Sequence, residues 1–258
     1  MDGRRGIIDI DDDERVVYFD PYYTKKITGT RVGAILGVSG FSTPFKCACE
    51  MAGIYPGDRM NKYMEAGNIL EPVIREYVAS NVGAAEKALG MGPLSIEEPV
   101  PADRCGYDHF HDDSLFGGLV DGYLVKDGRR VAVFEIKTSA DRESWLDGNG
   151  DVSVIPESYM LQASLYAHLS GLDKILFAVG FLEDADYDRP RQWIPTPDNV
   201  ALIAIDRLDM EEQMAYCKEW YDDYIKTGCT PEWTDRDADV VKYLKAYKPG
   251  GKRKGGRR

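Results

Sequence analysis

The chain has 258 residues, 43% hydrophobic and 29% charged, an ordinary globular composition that argues against disorder, coiled coil and repeat array and suffices for one large core or two modest ones. Its apolar runs fall far short of the ~20 residues of a membrane span, and no apolar stretch follows Met1-Asp2-Gly3-Arg4-Arg5, so no span or signal peptide is expected and the cytoplasm is the predicted location. Lys and Arg total 32 against 44 Asp and Glu, a net charge of −12; this argues against a protein that coats nucleic acid by charge alone, but not against an enzyme whose acidic pocket is neutralised by metal.

In chain order, residues 1–23 with Asp9, Asp11, Asp12, Asp13 and Glu14 read as an acidic, flexible segment. Thr28-Gly29-Thr30 offers a cap for a short helix through Val32 and Leu36 that stops at Gly37. Asn61–Leu70 and Pro72–Asn81 read as helical pieces, with Pro72 kinking the run or opening the second piece. Ser95–Val100 reads as a strand, and the apolar stretches Leu115–Val125 and Val131–Thr138 around Lys126-Asp127-Gly128-Arg129 read as a hairpin. A helix from Pro156 to Ser170 ends at Gly171, Ile175–Phe181 reads as a buried strand, and an edge strand is expected near Arg191–Ile194. A long helical pattern then runs from Pro197 to about Thr227, and 248–258 is a basic, flexible tail that could bind phosphate nonspecifically. These elements predict one domain over 24–247 of the α/β (α+β) class, with a central mixed β-sheet flanked by helices. The five cysteines, Cys47, Cys49, Cys105, Cys217 and Cys229, are odd in number and irregular in spacing, which reads as reduced thiols.

The chemistry concentrates on the hairpin. Alternation puts Val131, Val133, Glu135 and Lys137 on one face of the second strand and Ala132, Phe134 and Ile136 on the other. Burying a Glu and a Lys at the end of an apolar strand is costly unless each has a partner or ligand. A structural ion pair is the bland explanation, but Asp121 in the preceding strand adds a second carboxylate to a run that otherwise reads as core. Opposed residues of a hairpin share a face. A two-residue Asp127-Gly128 turn pairs position 121 with 134 and points Asp121 away from Glu135. A three-residue loop, or a bulge at Gly122, turns both carboxylates to one face, and the catalytic reading requires one of these. Two carboxylates and a backbone carbonyl then suit a hard divalent ion, with Lys137 beside the attacking water, which is phosphodiester hydrolysis in outline.

Asp121 followed, after thirteen residues, by Glu135-Ile136-Lys137 resembles the core of the PD-(D/E)xK nucleases. Ile27-Thr28-Gly29-Thr30-Arg31-Val32-Gly33-Ala34-Ile35-Leu36-Gly37, Gly67-Asn68-Ile69-Leu70-Glu71-Pro72 and Gln162-x3-Tyr166 resemble three further motifs of one branch, the phage lambda-type exonucleases and YqaJ-like viral recombinases. The resemblance spans roughly Thr24 to Leu244. It implies a restriction-endonuclease-like core and a metal-dependent deoxyribonuclease, specifically a 5′-to-3′ exonuclease that acts on linear double-stranded DNA ends and exposes 3′ single strands for recombination. It implies Mg²⁺ or Mn²⁺ held by Asp121, Glu135 and the Ile136 carbonyl, with Glu71 reaching the metal through water. It implies further that Lys137 and Gln162 handle the water, that Tyr166 joins them one helical turn away, and that Thr30 sits near the 5′-phosphate with help from Arg31, Lys25 and Lys26. No arginine aligns with the family's upstream one. A single-strand annealing protein and a homotrimer are the partners implied.

Other signals are weaker. Val131–Lys137 has the look of a kinase strand, without the Gly-rich loop or Asp-Phe-Gly. His109-Phe110-His111-Asp112-Asp113 suggests zinc, but only His168 remains elsewhere, and Cys47-Ala48-Cys49 lacks a second pair; a polar loop and packing thiols are expected. Two alternatives stay open: a sequence- or structure-specific endonuclease on the same core, and a catalytically inactive DNA-end-binding recombination protein.

Overall fold

The structure, a computed structural model, describes residues 6–21, 25–147, 152 and 154–246. The basic tail expected over 248–258 lies outside the described residues. The chain groups into two compact units, one of residues 1–58 and 211–258, the other of residues 59–210.

The first unit begins within the stretch expected to be flexible. There β1 (Ile7–Asp11) and β2 (Val16–Phe19) pair antiparallel. Asp11 Oδ1 accepts from the backbone amides of Asp13 and Glu14 at 2.9 Å each, so the acidic run is a turn. Val17 and Phe19 are buried. Next come β3 (Ile27–Thr28), α1 (Gly29–Ile35) and α2 (Pro44–Met51). The first helix starts and stops where its cap and Gly37 (φ 74) predict.

The second unit holds α3 (Lys62–Ser80), α4 (Val82–Leu89), β4 (Ser95–Glu97), β5 (Phe116–Gly117), β6 (Gly122–Lys126), β7 (Arg129–Ser139), α5 (Glu157–Leu169), β8 (Lys174–Phe181), α6 (Asp184–Asp188) and β9 (Val200–Asp206). The chain then returns to the first unit through α7 (Glu211–Trp220), which runs into a π-helical turn at Tyr221–Ile225, and α8 (Ala238–Ala246). Among the described residues no helix is long and apolar enough to cross a membrane.

The second unit is built on a five-stranded sheet in the order β4-β6-β7-β8-β9. Only β7 and β8 run parallel, joined through α5; the other pairs are antiparallel. This is the mixed sheet flanked by helices that was expected. Helix α3 buries Ala66, Leu70, Ile74 and Val78, a stripe at intervals of four, against Leu124, Ala132, Phe134, Ile136, Leu176 and Ala178 of the sheet. Gly180 in β8 lets Ile74 approach: a Cβ there would sit 2.8 Å from Ile74 Cδ1.

Three expected elements differ. The two helical pieces around Pro72 are one 19-residue helix started by Asn61, whose side chain accepts from the amides of Tyr63 and Met64 at 3.0 Å. Pro72 sits inside it; burial of the α3 stripe outweighs the one backbone hydrogen bond that proline removes. The edge strand is β9 at Val200–Asp206, and Pro190–Gln192, within the stretch where it was expected, is a 3-10 turn. The helix expected from Pro197 accordingly starts only at Glu211. Val-Ala-Leu-Ile-Ala-Ile is too short and uniformly apolar for its period to choose between states, and pairing with β8 decides it.

Candidate active site

The hairpin places the first carboxylate. Lys126 pairs with Arg129, and the two-residue turn has φ 50 at Asp127 and φ 73 at Gly128, the two positive angles of a type I′ turn. The three-residue loop expected for a catalytic site is not formed. The register instead shifts between Leu124 and Val125: Val125 pairs with Arg130, but Leu124 pairs with Ala132, which leaves Val131 as the extra residue of a bulge. The shifted register runs on through Gly122 and Phe134, so one step further brings Asp121 level with Glu135. The bulge therefore lies near the turn rather than at Gly122, and it does what the longer loop was expected to do. It also re-aims Val131, which packs with Ala132, Phe134 and Ile136 rather than on the Glu135 face.

Asp121 Oδ2 accepts from the Ile136 backbone amide at 2.7 Å, which ties the carboxylate to β7. Glu135 is fully buried, and its Oε2 accepts from Lys137 Nζ at 2.7 Å. Its other oxygen, Oε1, is buried with no hydrogen-bond partner among the described residues. Burial pushes the Glu135 carboxyl up to about 8; Asp121 and Glu71 push it the same way and Lys137 opposes them. Burial works against the Lys137 ammonium, yet the carboxylates of Glu135 and Asp121 outweigh it and hold the lysine above its ordinary range.

Helix α3 contributes Glu71. Burial and then the charge of Asp121 raise its carboxyl, while Arg75, one helical turn on, opposes. Arg75 donates to Glu71 Oε1 and, through Nε, to the Asp121 carbonyl at 3.0 Å. Arg75 thus clamps the helix carboxylate to Asp121, the residue that leads into β6. Helix α5 brings a third wall. Lys137 Nζ lies 5.4 Å from the Tyr159 ring centroid, and Tyr166 bears electrostatically on Lys137. Gln162 lies between these two on the same helix face. Tyr166 is buried, stacks on Phe110 at 5.7 Å, and reaches its place because residue 118 is glycine: with φ 142, a Cβ there would meet the Tyr166 hydroxyl at 2.6 Å.

Glu71, Asp121, Glu135, Lys137, Gln162 and Tyr166 therefore all belong to the second unit, on α3, the β6–β7 hairpin and α5. Arg75, Tyr159 and Gly118 were missed from sequence; the i, i+4 spacing of Glu71 and Arg75 and the i, i+3 spacing of Tyr159 and Gln162 were the available signals. The four residues expected at a 5′-phosphate lie in the first unit. Thr28 rather than Thr30 takes the N-cap position of α1, and Thr30 is exposed with its hydroxyl 3.2 Å from that of Thr28. Arg31 donates to the Lys26 carbonyl, and Lys25 Nζ donates to the Glu50 carbonyl at 2.7 Å.

Among the described residues no group of three or more His, Cys, Asp and Glu side chains forms a ready-made metal cage. The donor chemistry nonetheless fits a hard divalent cation: three carboxylates and a strand carbonyl, with Oε1 of Glu135 as an acceptor that none of the described residues satisfies. The histidine loop does not suit zinc at His109, because Nδ1 accepts from the Val120 amide at 3.1 Å and Nε2 donates to the Val100 carbonyl at 2.8 Å.

The family model for the YqaJ-like viral recombinase domain matches residues 19–173, more than half of the chain. The chain belongs to the YqaJ-like viral recombinase family. Family membership bears out the resemblance read from the motifs, and with it the PD-(D/E)xK nuclease assignment. Relatives include an uncharacterised protein of Mycoplasma genitalium, 30% identical over 274 residues, 89% of this chain and 93% of that protein. Its homolog in Mycoplasma pneumoniae is 28% identical over 87% of this chain and 92% of its own length. The crystal structure of an alkaline exonuclease from Laribacter hongkongensis matches with a TM-score of 0.51 at 16% identity, covering 86% of this chain and 93% of its own. Its complex with dAMP matches with a TM-score of 0.50 at 16% identity, over 84% and 94% of the two chains. These two structures share the fold.

Proposed function

We propose that this YqaJ-family protein is a metal-dependent exodeoxyribonuclease that degrades one strand of linear double-stranded DNA from the 5′ end and leaves a 3′ single strand for phage-type recombination. The observation that carries the reading is the fully buried Glu135, with one oxygen on Lys137 and the other unpartnered among the described residues, level with Asp121. The alkaline exonuclease of the same fold, and its dAMP complex, support the substrate class.

Mg²⁺ or Mn²⁺, held by Asp121, Glu135 and the Ile136 carbonyl with Glu71 through water, would neutralise the charge that builds on the phosphodiester and acidify the attacking water. Lys137, kept protonated by its carboxylate neighbours, acts as a donor that orients this water and the scissile phosphate. Gln162 adds an amide from the adjoining helix face, and Tyr166 fixes that face against Gly118. Arg75 holds Glu71 in place. Thr30, Arg31, Lys25 and Lys26 receive the 5′-phosphate at the duplex end. The active assembly is a homotrimer around DNA, and the emerging single strand passes to an annealing protein in the cytoplasm.

The test is cleavage of linear duplex with and without a 5′-phosphate, beside covalently closed circles, in Mg²⁺, Mn²⁺ and EDTA. Metal-dependent loss of linear DNA alone, faster with the phosphate, supports the exonuclease. Cutting of circles would make it an endonuclease, and no cutting under any condition would make it a DNA-end-binding protein.

A further inference from the structure

A cavity of about 590 Å³ in the first unit is lined by Arg15, Trp233, Ala238, Val241, Lys242 and Lys245, among others. Its walls come from the β1–β2 turn, the segment before α8 and α8 itself, so it shares no residue with the candidate active site. Three cations and one carboxylate, Asp235, meet one indole here, in a chain whose net charge is −12.

Arg15 is anchored in the lining of this cavity, its side chain 43% exposed and its guanidinium paired with Asp235. Its φ of 58 is in the left-handed region, where a residue with a side chain is strained, and its carbonyl accepts from the Trp233 amide at 2.9 Å, which fixes it beside the indole. Its Nε is buried with no hydrogen-bond partner among the described residues. The carboxylates that do reach these cations are themselves solvent-exposed: Asp235 on Arg15 at 3.2 Å, and Asp12 on Lys245. Exposed ion pairs of this kind are weak.

Trp233 supplies the other half of a nucleotide site. Trp145, Trp193 and Trp220 are buried, whereas Trp233 is half-buried, with Phe45 edge-on at 5.7 Å. An accessible indole beside clustered cations is the pairing that binds an unpaired base and its flanking phosphates, whereas a duplex offers its bases only stacked and paired. The cations also continue along the sequence, with Lys248, Lys252, Arg253, Lys254, Arg257 and Arg258 following α8.

We propose that this cavity is a second nucleic-acid site that holds single-stranded DNA, one base stacked on Trp233 and its phosphates on Arg15, Lys242 and Lys245. The inference rests on the DNA-nuclease reading and deepens it: the strand left by degradation has its own place on the protein, built from the first unit alone.

The test uses the full-length chain with Glu135→Gln and EDTA to prevent cleavage, and follows tryptophan fluorescence as a twelve-residue oligothymidylate is added. Saturable quenching is expected, lost in Trp233→Phe, with affinity about tenfold to a hundredfold weaker in Trp233→Ala. Lys242→Glu, on an exposed position, should weaken binding and flatten its salt dependence. Unchanged quenching and affinity in all three variants would overturn the site, as would saturation by dTMP at the same concentration, or equal competition by duplex. Linear-duplex cleavage by the otherwise wild-type protein is read in parallel. Its absence would sink the nuclease reading while leaving the binding result standing.

Discussion

Glu135 is the residue on which most of the chemistry turns. A carboxyl whose folded pKa lies above its ordinary 4.5 contributes stability that is fully present below about pH 4.5 and is lost as pH rises toward about 8. In EDTA, wild-type protein should therefore lose thermal stability relative to Glu135→Gln across that window, while Lys137 stays charged throughout it. Parallel melting-temperature profiles of the two proteins would contradict the buried, raised carboxyl. Added Mg²⁺ should stabilise the wild type more at pH 8 than at pH 6, because the cation competes with the proton. For cleavage, Glu135→Ala and Lys137→Ala should each lower the rate by roughly 10²- to 10⁴-fold, with far-ultraviolet circular dichroism showing the fold retained; wild-type rates in both would remove the assignment. The pair Glu135 and Lys137 was legible in the sequence because charge at the end of an apolar strand needs a reason. Arg75 was legible only in part: its i, i+4 spacing from Glu71 is local, but its second partner is the carbonyl of Asp121, 46 residues away.

Among the elements, the hairpin separates local from nonlocal information. Asp127-Gly128 is a strong type I′ signal, and the turn formed as that signal dictates. Taken alone it aims Asp121 the wrong way; the bulge at Val131 corrects the register, and nothing local marks a bulge at a valine. Gly118 is a second such point. Gly118→Ala should place a methyl group 2.6 Å from Tyr166, cost about 1–3 kcal/mol of stability and lower cleavage further than stability alone explains. Ile74→Ala, by contrast, removes a fully buried side chain of α3 and should cost about 2–5 kcal/mol with cleavage little changed well below the melting temperature. Chemical denaturation beside rate measurements at 20–25 °C would separate the two variants, and equal effects on rate would show that Tyr166 needs no fixed position.

Across the whole molecule, charge and cysteine usage report on environment. Burial pushes the Cys47 and Cys217 thiols up to about 12 and raises Cys49 well above its ordinary value. In the native protein at pH 8, Ellman's reagent should therefore react readily only with Cys105 and Cys229, the two partly exposed thiols, and with all five after unfolding. Fast reaction of more than two would contradict the packing of α2 and α7. The class of the fold, the hairpin, the α5–β8 succession and the candidacy of Asp121, Glu135 and Lys137 were legible in the sequence, because period-two alternation, caps and charged interruptions of apolar runs are written within a few residues of one another; Glu71, Gln162 and Tyr166 were reached only through motif resemblance. The continuous α3 through Pro72, the strand state of Val200–Asp206, the bulge that brings Asp121 level with Glu135 and the Gly118 opening for Tyr166 were decided only by tertiary structure. Each depends on a partner distant in the chain, and burial against that partner outweighs the local preference that pointed elsewhere.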